Sequence, residues 1–397
     1  MQIYLVGGAV RDALMGLPVV DRDWVVVGST PAEMVALGFK PVGRDFPVFL
    51  HPVTHEEYAL ARTERKTAPG YRGFVVHAAP DVTLEQDLAR RDLTINSIAA
   101  YAQFARPAAP NGIETCPFKL ETALLIDPFG GQADILGKVL RHVTAAFRED
   151  PVRILRVARF NARFPDFSVA PETMDLMRQM VQSGETETLV PERVWQELSK
   201  GLMATWPSKM MGVLARTGTL QRVLPSLRNE AEQAFTAVDA AAESGASLTV
   251  RFTCLMGHFE ADAAFLRRVP RPCSDLATLW AREHVAVAAI VQGAPDARKW
   301  VGLFERGYAF RKPERFQELL ACCTLLQRLD TRRLENAFAV ARSVTSRDAT
   351  ARLSPTSPTL PGNPGDSGLA GPQIAVAMQQ ARVGAVAQFM DSDRARV

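Results

Sequence analysis

The chain has 397 residues, of which 47% are hydrophobic and 22% charged, and a formal net charge of +3. This composition is typical of a globular protein of roughly two to four domains, and the small net charge does not by itself indicate a nucleic-acid partner. No apolar stretch is long enough to span a membrane, and the five scattered cysteines contain no CxxC pair, so we expect a cytoplasmic protein without a zinc site or a disulfide framework.

A pair of glycines follows the first predicted strand. The apolar run Ile3–Val6 is typical of a buried strand, and Gly7 and Gly8 come directly after it. Glycine lets backbone N–H groups approach a phosphate closely, and the helix that follows points its positive end there. A glycine pair alone is more often an ordinary turn, but in this position it predicts a phosphate-binding site.

Two acidic residues open the second predicted strand. Asp21 and Asp23 are two positions apart and precede the apolar run Trp24–Val27, so their side chains project from one face of the strand. Paired carboxylates hold Mg²⁺, which activates a hydroxyl and neutralises a leaving pyrophosphate. Carboxylates at this spacing are common on surfaces, but together with a phosphate-binding turn they predict nucleotidyl transfer.

The rest of the N-terminal region mixes strand and helix patterns. The runs Pro47–His51 and Glu57–Arg62 predict a hairpin, and helices are predicted over 32–37 and 84–100. The stretch 102–123 carries prolines and little periodicity, and it is predicted to be an inserted surface loop. The pattern over the first 140 residues or so predicts an α+β head with a small mixed sheet.

Helical patterns dominate from Asp150 onward. Asp150 and Pro151 form a helix start signal, and apolar residues then recur at helical spacing to about Val344. Residues 354–372 are a linker rich in proline, glycine and serine, and a last helix is predicted over 373–390. The first of these helices also carries a basic stripe, formed by Arg153, Arg156, Arg159 and Arg163.

An ordered series of motifs joins these features. Glu57 begins a strand and could supply a third carboxylate near the first two. Later motifs combine arginines with acidic residues, and they occur in the order Arg90–Asp92, Asp127–Arg141, Glu149–Arg156 and Pro191–Glu197. With this series the chain resembles the class II tRNA nucleotidyltransferases, the bacterial CCA-adding enzymes of the multifunctional type. The resemblance covers residues 1–225 well.

The resemblance implies an architecture and an activity. A nucleotidyltransferase-type head (1–140) would be followed by a helical neck and body (141–225), a helical HD-like domain (226–350), the linker (351–372) and a C-terminal helix (373–397). The family adds C, C and A to the 3′ end of tRNA from CTP and ATP, with Mg²⁺ and without a nucleic-acid template. The implied partners are therefore tRNA, ATP and CTP, with no membrane.

The resemblance also implies roles for single residues. Gly8 and Arg11 would contact the nucleotide phosphates. Asp21 and Asp23 would bind Mg²⁺ and carry catalysis, with Glu57 assisting. The remaining nucleotide-binding positions are Arg91, Asp150, Arg153 and Arg156.

Asp150 and Arg153 match the family's protein template for the incoming base. On a helix they are three positions apart and face the same way. A carboxylate accepts from an exocyclic amine, and a guanidinium donates to a ring nitrogen or a carbonyl oxygen. Cytosine and adenine carry that amine, whereas uracil and guanine would leave buried groups unpaired at about 1–3 kcal/mol each. The alternative is that Asp150 only caps the helix and binds Arg153.

The C-terminal region departs from the family. Many relatives carry an HD-type phosphohydrolase domain, whose metal site needs a His-Asp dyad and further His and Asp ligands. The dyad position here reads Gly257-His258 with no aspartate after it, and His284 is the only later histidine. We expect an HD-like helical fold without the metal site, and ordinary packed or surface roles for both histidines.

Two other functions stay open on sequence alone. Poly(A) polymerases share the head and its motifs, but they tend to carry a second basic residue where Asp45 stands in the stretch Val42–Phe49. A non-catalytic RNA-binding relative is the other alternative. It would gain nothing from burying acidic residues such as Asp21, Asp23 and Asp150 beside a nucleotide phosphate. The oligomeric state, monomer or homodimer, is also open.

Overall fold

The structure is a computed structural model that divides into two compact units, Met1–Pro225 and Ser226–Val397. It describes residues 1–42, 47–66, 74–101, 107–108, 112–113, 124–224, 231–257, 263–351 and 371–394. Asp45, His258, Cys116, the 354–370 part of the linker and most of the 102–123 segment lie outside these ranges, so the expectations for them stay predictions. None of the described helices is long and apolar enough to cross a bilayer.

A seven-stranded mixed sheet forms the centre of the first unit. Its order is β11-β8-β1-β2-β5-β4-β3. The pair β2–β5 is parallel, and every other pair of neighbouring strands in this sheet is antiparallel. The strands are β1 (Gln2–Val6), β2 (Asp23–Val27), β3 (Lys40–Pro41), β4 (Val48–Leu50), β5 (Glu57–Leu60), β6 (Thr63–Lys66), β7 (Phe74–His77), β8 (Ala99–Tyr101), β9 (Pro107–Ala108), β10 (Gly112–Ile113), β11 (Leu125–Ile126), β12 (Val139–Leu140) and β13 (Ser168–Val169).

Helices cover the sheet and then continue the first unit. Short 3₁₀ turns at Thr94–Asn96, Ala145–Glu149 and Glu185–Thr188 connect some of them. The α-helices are α1 (Gly8–Leu14), α2 (Pro31–Ala36), α3 (Leu84–Ala89), α4 (Gly131–Leu136), α5 (Val152–Arg163), α6 (Pro171–Gln182), α7 (Pro191–Leu202), α8 (Pro207–Thr217) and α9 (Leu220–Val223).

Alternating side chains of the central strands pack on opposite faces of the sheet, as the two-residue period of a strand requires. On one face, Leu5 packs in a cluster with Val10 of α1 and Met34 of α2. On the other face, Val6 packs in a cluster with Leu88 of α3. Each fully buried side chain of this size contributes roughly 1.5–3 kcal/mol to folding. Because both faces are covered, the ends of the strands are left as the place for polar chemistry.

Most of the predicted elements of the head are confirmed. The two apolar runs form β1 and β2, the hairpin forms from β4 and β5, and the first predicted helix is α2. The helix predicted over 84–100 is wrong beyond Ala89. Asp92 accepts hydrogen bonds from the backbone N–H of Leu93 and from Asn96, which replaces helical bonding locally. The chain then enters β8 and pairs with β1.

The second unit is helical in its described part. Its helices are α10 (Ala231–Glu243), α11 (Leu248–Met256), α12 (Ala263–Leu266), α13 (Arg271–Gln292), α14 (Ala297–Arg306), α15 (Pro313–Gln327), α16 (Arg332–Ser343), α17 (Ser346–Ala351) and α18 (Gly371–Arg394). One apolar cluster joins α10, α11 and α13–α16 with α18, so the predicted last helix belongs to this core. Four cysteines are buried free thiols, as expected: Cys254, Cys273, Cys322 and Cys323.

Candidate active site

One cleft of about 960 Å³ in the first unit gathers the predicted residues. It lies at the ends of β1, β2 and β5 and is walled by the segment after α3 and by α5 and α7. All nine residues singled out from the sequence line this cleft, although they come from five separate segments: Gly8, Arg11, Asp21, Asp23, Glu57, Arg91, Asp150, Arg153 and Arg156.

The glycine turn at the end of β1 has two structural reasons for lacking a side chain. Gly7 has φ +71°, in the left-handed region that favours glycine. A Cβ built on Gly7 would lie 2.9 Å from Nη1 of Arg91, closer than real contacts allow. Gly8 then begins α1. At this turn, backbone without a side chain therefore lies next to the guanidinium of Arg91.

Arg91 keeps unused hydrogen-bonding capacity at this turn. Its Nη2 donates to Asp87 Oδ2 at 3.3 Å, and its buried Nε has no hydrogen-bond partner among the described residues. Burial lowers the pKa of Arg91, although Asp87 and, more weakly, Asp23 act in the opposite direction. An anion in the cleft would satisfy this donor and offset the burial.

The acidic edge lies on the next two strands. Because β2 and β5 are parallel and in register at Asp23 and Glu57, these two residues start their strands side by side. Asp21 precedes β2 by two positions, and both aspartates are exposed. The carboxylates of Asp21 and Asp23 form no hydrogen bond or ion pair with any described residue. Their position leaves the two carboxylates available to a ligand.

The donor set fits Mg²⁺ as a two-carboxylate site. Asp21 and Asp23 supply hard oxygen ligands, and Mg²⁺ is usually held by one or two carboxylates with substrate phosphates and water completing the octahedron. Among the residues that the structure describes, no group of three His, Cys, Asp or Glu side chains is placed to hold a metal. Glu57, which starts β5 level with Asp23, is a neighbour of the acidic pair.

Arg11 is buried in the wall of the cleft. It is 3% exposed, its Nε donates to Asp12 Oδ1 at 2.9 Å and its Nη1 donates to Asn96. Burial lowers the pKa of Arg11, although Asp12 opposes this. Asp12 also accepts from Arg163 Nη2 at 2.9 Å. Arg11 therefore contributes positive charge to the cleft from a fixed position, and direct contact with phosphate stays a prediction.

Asp92 is a buried member of the site that the sequence did not single out. It is 5% exposed and accepts from Arg156 Nε at 2.6 Å. Burial alone would raise the pKa of Asp92, but Arg156 and Asn96 hold it well below its ordinary range. Glu197 of α7, also buried, accepts from Arg159 Nε at 2.6 Å. The signal in the sequence was the place of both acids in the arginine-containing motifs.

Asp150 and Arg153 do not pair with each other. Arg153 is 9% exposed, and it donates to the carbonyl oxygens of Ala146 at 2.9 Å and Arg90 at 2.6 Å. Asp150 lies just before α5 and accepts two bonds from Arg193, a residue absent from the sequence-based site. The cleft is thus lined by arginines of which several are already bonded to carboxylates or carbonyls.

Two family models match successive parts of the chain. The model described as the poly A polymerase head domain matches residues 3–141. The model described as the probable RNA and SrmB-binding site of polymerase A matches residues 166–230. The first range contains the sheet with its glycine turn and acidic edge, and the second contains α6 to α9.

Close relatives extend the match to nearly the whole chain. The multifunctional CCA protein of Variovorax paradoxus (strain S110) is 50% identical, with 98% of this chain and 99% of the relative covered. That of Polaromonas naphthalenivorans (strain CJ2) is 49% identical, with 98% of each covered.

Solved structures of lower identity share the fold. A CCA-adding enzyme in apo form II superposes with a TM-score of 0.67 at 21% identity, covering 100% of this chain and 92% of the other. A Thermotoga maritima CCA-adding enzyme complexed with tRNA superposes with a TM-score of 0.64 at 21% identity, covering 98% of this chain and 91% of the other. The head sheet and the helical remainder are therefore those of this fold.

Proposed function

The chain belongs to the multifunctional CCA proteins, and from this we infer that it is a nucleotidyltransferase that adds CCA to the 3′ end of tRNA. The relatives of about 50% identity over nearly the full length support this activity. The observation from the structure that supports it best is the cleft, where a glycine turn, two unpaired carboxylates and several arginines come together. CTP and ATP are the proposed nucleotide substrates, and the cytoplasm is the proposed location.

Asp21 and Asp23 are the proposed metal-binding and catalytic residues. When Mg²⁺ is bound there, it supplies activation of the tRNA 3′-hydroxyl and neutralises charge on the leaving pyrophosphate. The two carboxylates keep the ion at the end of β2, beside the turn where the triphosphate binds. Glu57, level with Asp23, adds negative charge next to the pair and is the proposed assisting residue.

The triphosphate is proposed to bind at the glycine turn. The backbone N–H of Gly8 and the unused donor of Arg91 are the groups that contact it. Arg11 adds a fixed positive charge from the wall. In this position the α-phosphorus lies near the acidic edge, so that the 3′-hydroxyl attacks in line and pyrophosphate leaves towards the arginines.

The base is proposed to be read on the α5 side of the cleft. Asp150 accepts from the exocyclic amine of cytosine or adenine. Arg153 donates to the base from the N–H groups that its bonds to the carbonyl oxygens of Ala146 and Arg90 leave unused. Arg156, fixed by Asp92, contributes charge beside the nucleotide. Uracil and guanine would place a carbonyl oxygen against that carboxylate, and two acceptors cannot form a hydrogen bond.

A tRNA extension assay tests the proposed function. A tRNA transcript that lacks its 3′ CCA is incubated with the full-length protein, Mg²⁺ and each nucleoside triphosphate alone and in pairs. We expect two additions with CTP alone, and completion with a single A when ATP is also present. Failure to incorporate CTP, together with a long adenylate tail from ATP, would identify a poly(A) polymerase, whose head-domain model the chain matches. Absence of any nucleotide binding would favour the RNA-binding alternative.

A further inference from the structure

The carboxylate proposed to read the base is already engaged by an arginine. Nη1 of Arg193 donates to Asp150 Oδ1 at 3.1 Å, and Nη2 donates to Oδ2 at 2.7 Å. The two bonds form a bidentate pair, the strongest geometry between these groups. Both residues line the cleft, so the pair lies where a nucleotide would bind.

The hydrogen-bonding capacity of Asp150 is nearly filled by these contacts. Its Oδ1 also accepts from the backbone N–H of Val152 at 3.1 Å. An ionised carboxylate has about four acceptor positions, and these three donors occupy most of them. An exocyclic amine that binds Asp150 at either position held by Arg193 has to replace that bond.

Arg193 is more accessible to water than Arg153, the other arginine proposed to act at the base. The Arg193 side chain is 29% exposed and lies in the first turn of α7, at the rim of the cleft. At this exposure, a guanidinium N–H that gives up Asp150 can donate to water instead. Arg153 is buried and tied to two backbone carbonyls. The competitor for Asp150 is therefore Arg193.

The chemistry of the four bases decides which of them can replace Arg193. Cytosine and adenine present an amine, which can take over the role of an Arg193 N–H at Asp150. Uracil and guanine present a carbonyl oxygen, which cannot. Given the proposed role of Asp150, on which this inference rests, we propose that Arg193 occupies Asp150 until cytosine or adenine displaces it. Arg193 thereby acts as a specificity-determining residue that excludes uracil and guanine.

This competition has a cost for the correct nucleotides as well. CTP and ATP bind only the fraction of molecules in which Asp150 is released, so their apparent affinity is reduced by that fraction. A residue that merely positioned Asp150 would have the opposite effect, because its loss would weaken CTP and ATP binding. The sign of the change in KM separates the two roles.

The test compares Arg193→Met and Arg193→Lys in the full-length protein. KM and kcat are measured for CTP, ATP, UTP and GTP on tRNA transcripts, with thermal unfolding as the check of folding. With Arg193→Met we expect KM for CTP and ATP to fall severalfold and the ratio of UTP to CTP incorporation to rise about tenfold, the value of one charge-assisted hydrogen bond. Arg193→Lys keeps the positive charge but cannot form the two parallel hydrogen bonds of a guanidinium. We expect smaller changes in KM and in the UTP to CTP ratio, in the same directions. If Arg193→Met does not fold, Arg193→Lys alone decides.

Two further variants separate the possible failures. Arg332→Met removes an exposed arginine from the second unit and should leave every KM unchanged. A rise in KM for CTP and ATP in the Arg193 variants, with no change in the UTP to CTP ratio, overturns the competitor role while the proposed function stands. Asp150→Asn is measured in parallel. If it leaves the preference for C and A over U and G intact, the base-reading role of Asp150 is wrong, and the inference fails with it.

Discussion

Acidic residues in the cleft fall into two kinds according to their partners. Asp12, Asp92 and Asp150 each accept hydrogen bonds from an arginine. Asp21 and Asp23 have no such partner among the described residues and are exposed. Paired carboxylates hold the cleft together, whereas unpaired ones are free to bind a cation, so the two kinds of substitution should have different consequences.

Asp21→Asn and Asp23→Asn should each abolish nucleotide addition without destabilising the protein. Each replaces an exposed carboxylate that stabilises nothing in the described structure, so we expect an unchanged melting temperature and a loss of activity of about a thousandfold or more. tRNA binding, measured by filter retention, should be largely intact. Asp81→Asn, another exposed aspartate outside the cleft, serves as the control. A parallel loss of tRNA binding would count against the metal-binding role.

Asp92→Asn should destabilise the protein in a pH-dependent way. Arg156 holds the pKa of Asp92 below its unfolded value of about 3.9, so its ionised form stabilises the fold above that pH, and the contribution is lost as the pH falls towards the folded pKa. We expect a loss of about 2 kcal/mol at pH 7. Urea denaturation at pH 7 and at pH 3 should show the difference from the unaltered protein shrinking at the lower pH. A difference that does not change with pH would show that packing, and not charge, causes the loss.

Residue identities in the site could be predicted from the sequence, but their pairing could not. The acidic pair, the glycine turn and the arginines were found because motifs are local in sequence. Asp150 and Arg153 were expected to bind the base together, with pairing between the two as the alternative; the partner of Asp150 is instead Arg193, 43 positions away. Such long-range partners depend on how α5 and α7 pack, which no local pattern encodes.

At the scale of elements, the turn between β1 and α1 is the part of the cleft that tolerates substitution least. The left-handed backbone at position 7 favours glycine, and a Cβ there would force the Arg91 guanidinium to shift. The β1 and β2 strands around it were predicted from their apolar runs. The helix predicted over 84–100 was too long. It ends early because Asp92 binds Leu93 and Asn96 and the chain then pairs with β1, and a periodic pattern of apolar residues does not reveal such contacts.

Gly7→Ala should impair nucleotide binding as well as stability. The added methyl group meets Arg91, so we expect KM for CTP and ATP to rise at least tenfold, in addition to a backbone strain of about 1–3 kcal/mol. Gly16→Ala is a matched control, because Gly16 has φ +67° but nothing within 4 Å of a built Cβ. Gly16→Ala should lose stability through the same kind of backbone strain, and its KM for CTP and ATP should stay unchanged. Equal KM changes in both variants would point to strain alone.

At the scale of the whole molecule, each unit has its own buried core. The second unit takes up the helices from α10 onward, and its helical character was predicted from periodicity. His284 stacks on Trp280 with ring centroids 4.8 Å apart, a packing role in line with the expectation for this histidine. Glu283 next to it lies between Arg282 and Arg306. These contacts give Glu283 and His284 of α13 structural roles.

Purified protein should therefore lack metal-dependent phosphodiesterase activity. The sequence has no aspartate after His258 to complete a His-Asp dyad. Hydrolysis of 2′,3′-cyclic AMP is measured with Ni²⁺, Mn²⁺ or Mg²⁺ on the same preparation that extends tRNA. We expect no turnover above that of the metal alone. Robust hydrolysis that is lost in His258→Ala would show that a phosphohydrolase site survives in the second unit.

The ion pair between Arg163 and Asp12 joins residues 151 positions apart. On the ribosome, a nascent head therefore exists for some time with Asp92 made and its counterion Arg156 not yet synthesised, and with Asp12 paired with Arg11 but not yet with Arg163. Buried acids without counterions are costly, so we expect the growing head to stay incompletely folded until α5 has left the exit tunnel. A half-made chain would then have no working cleft, and truncated translation products would not extend RNA ends.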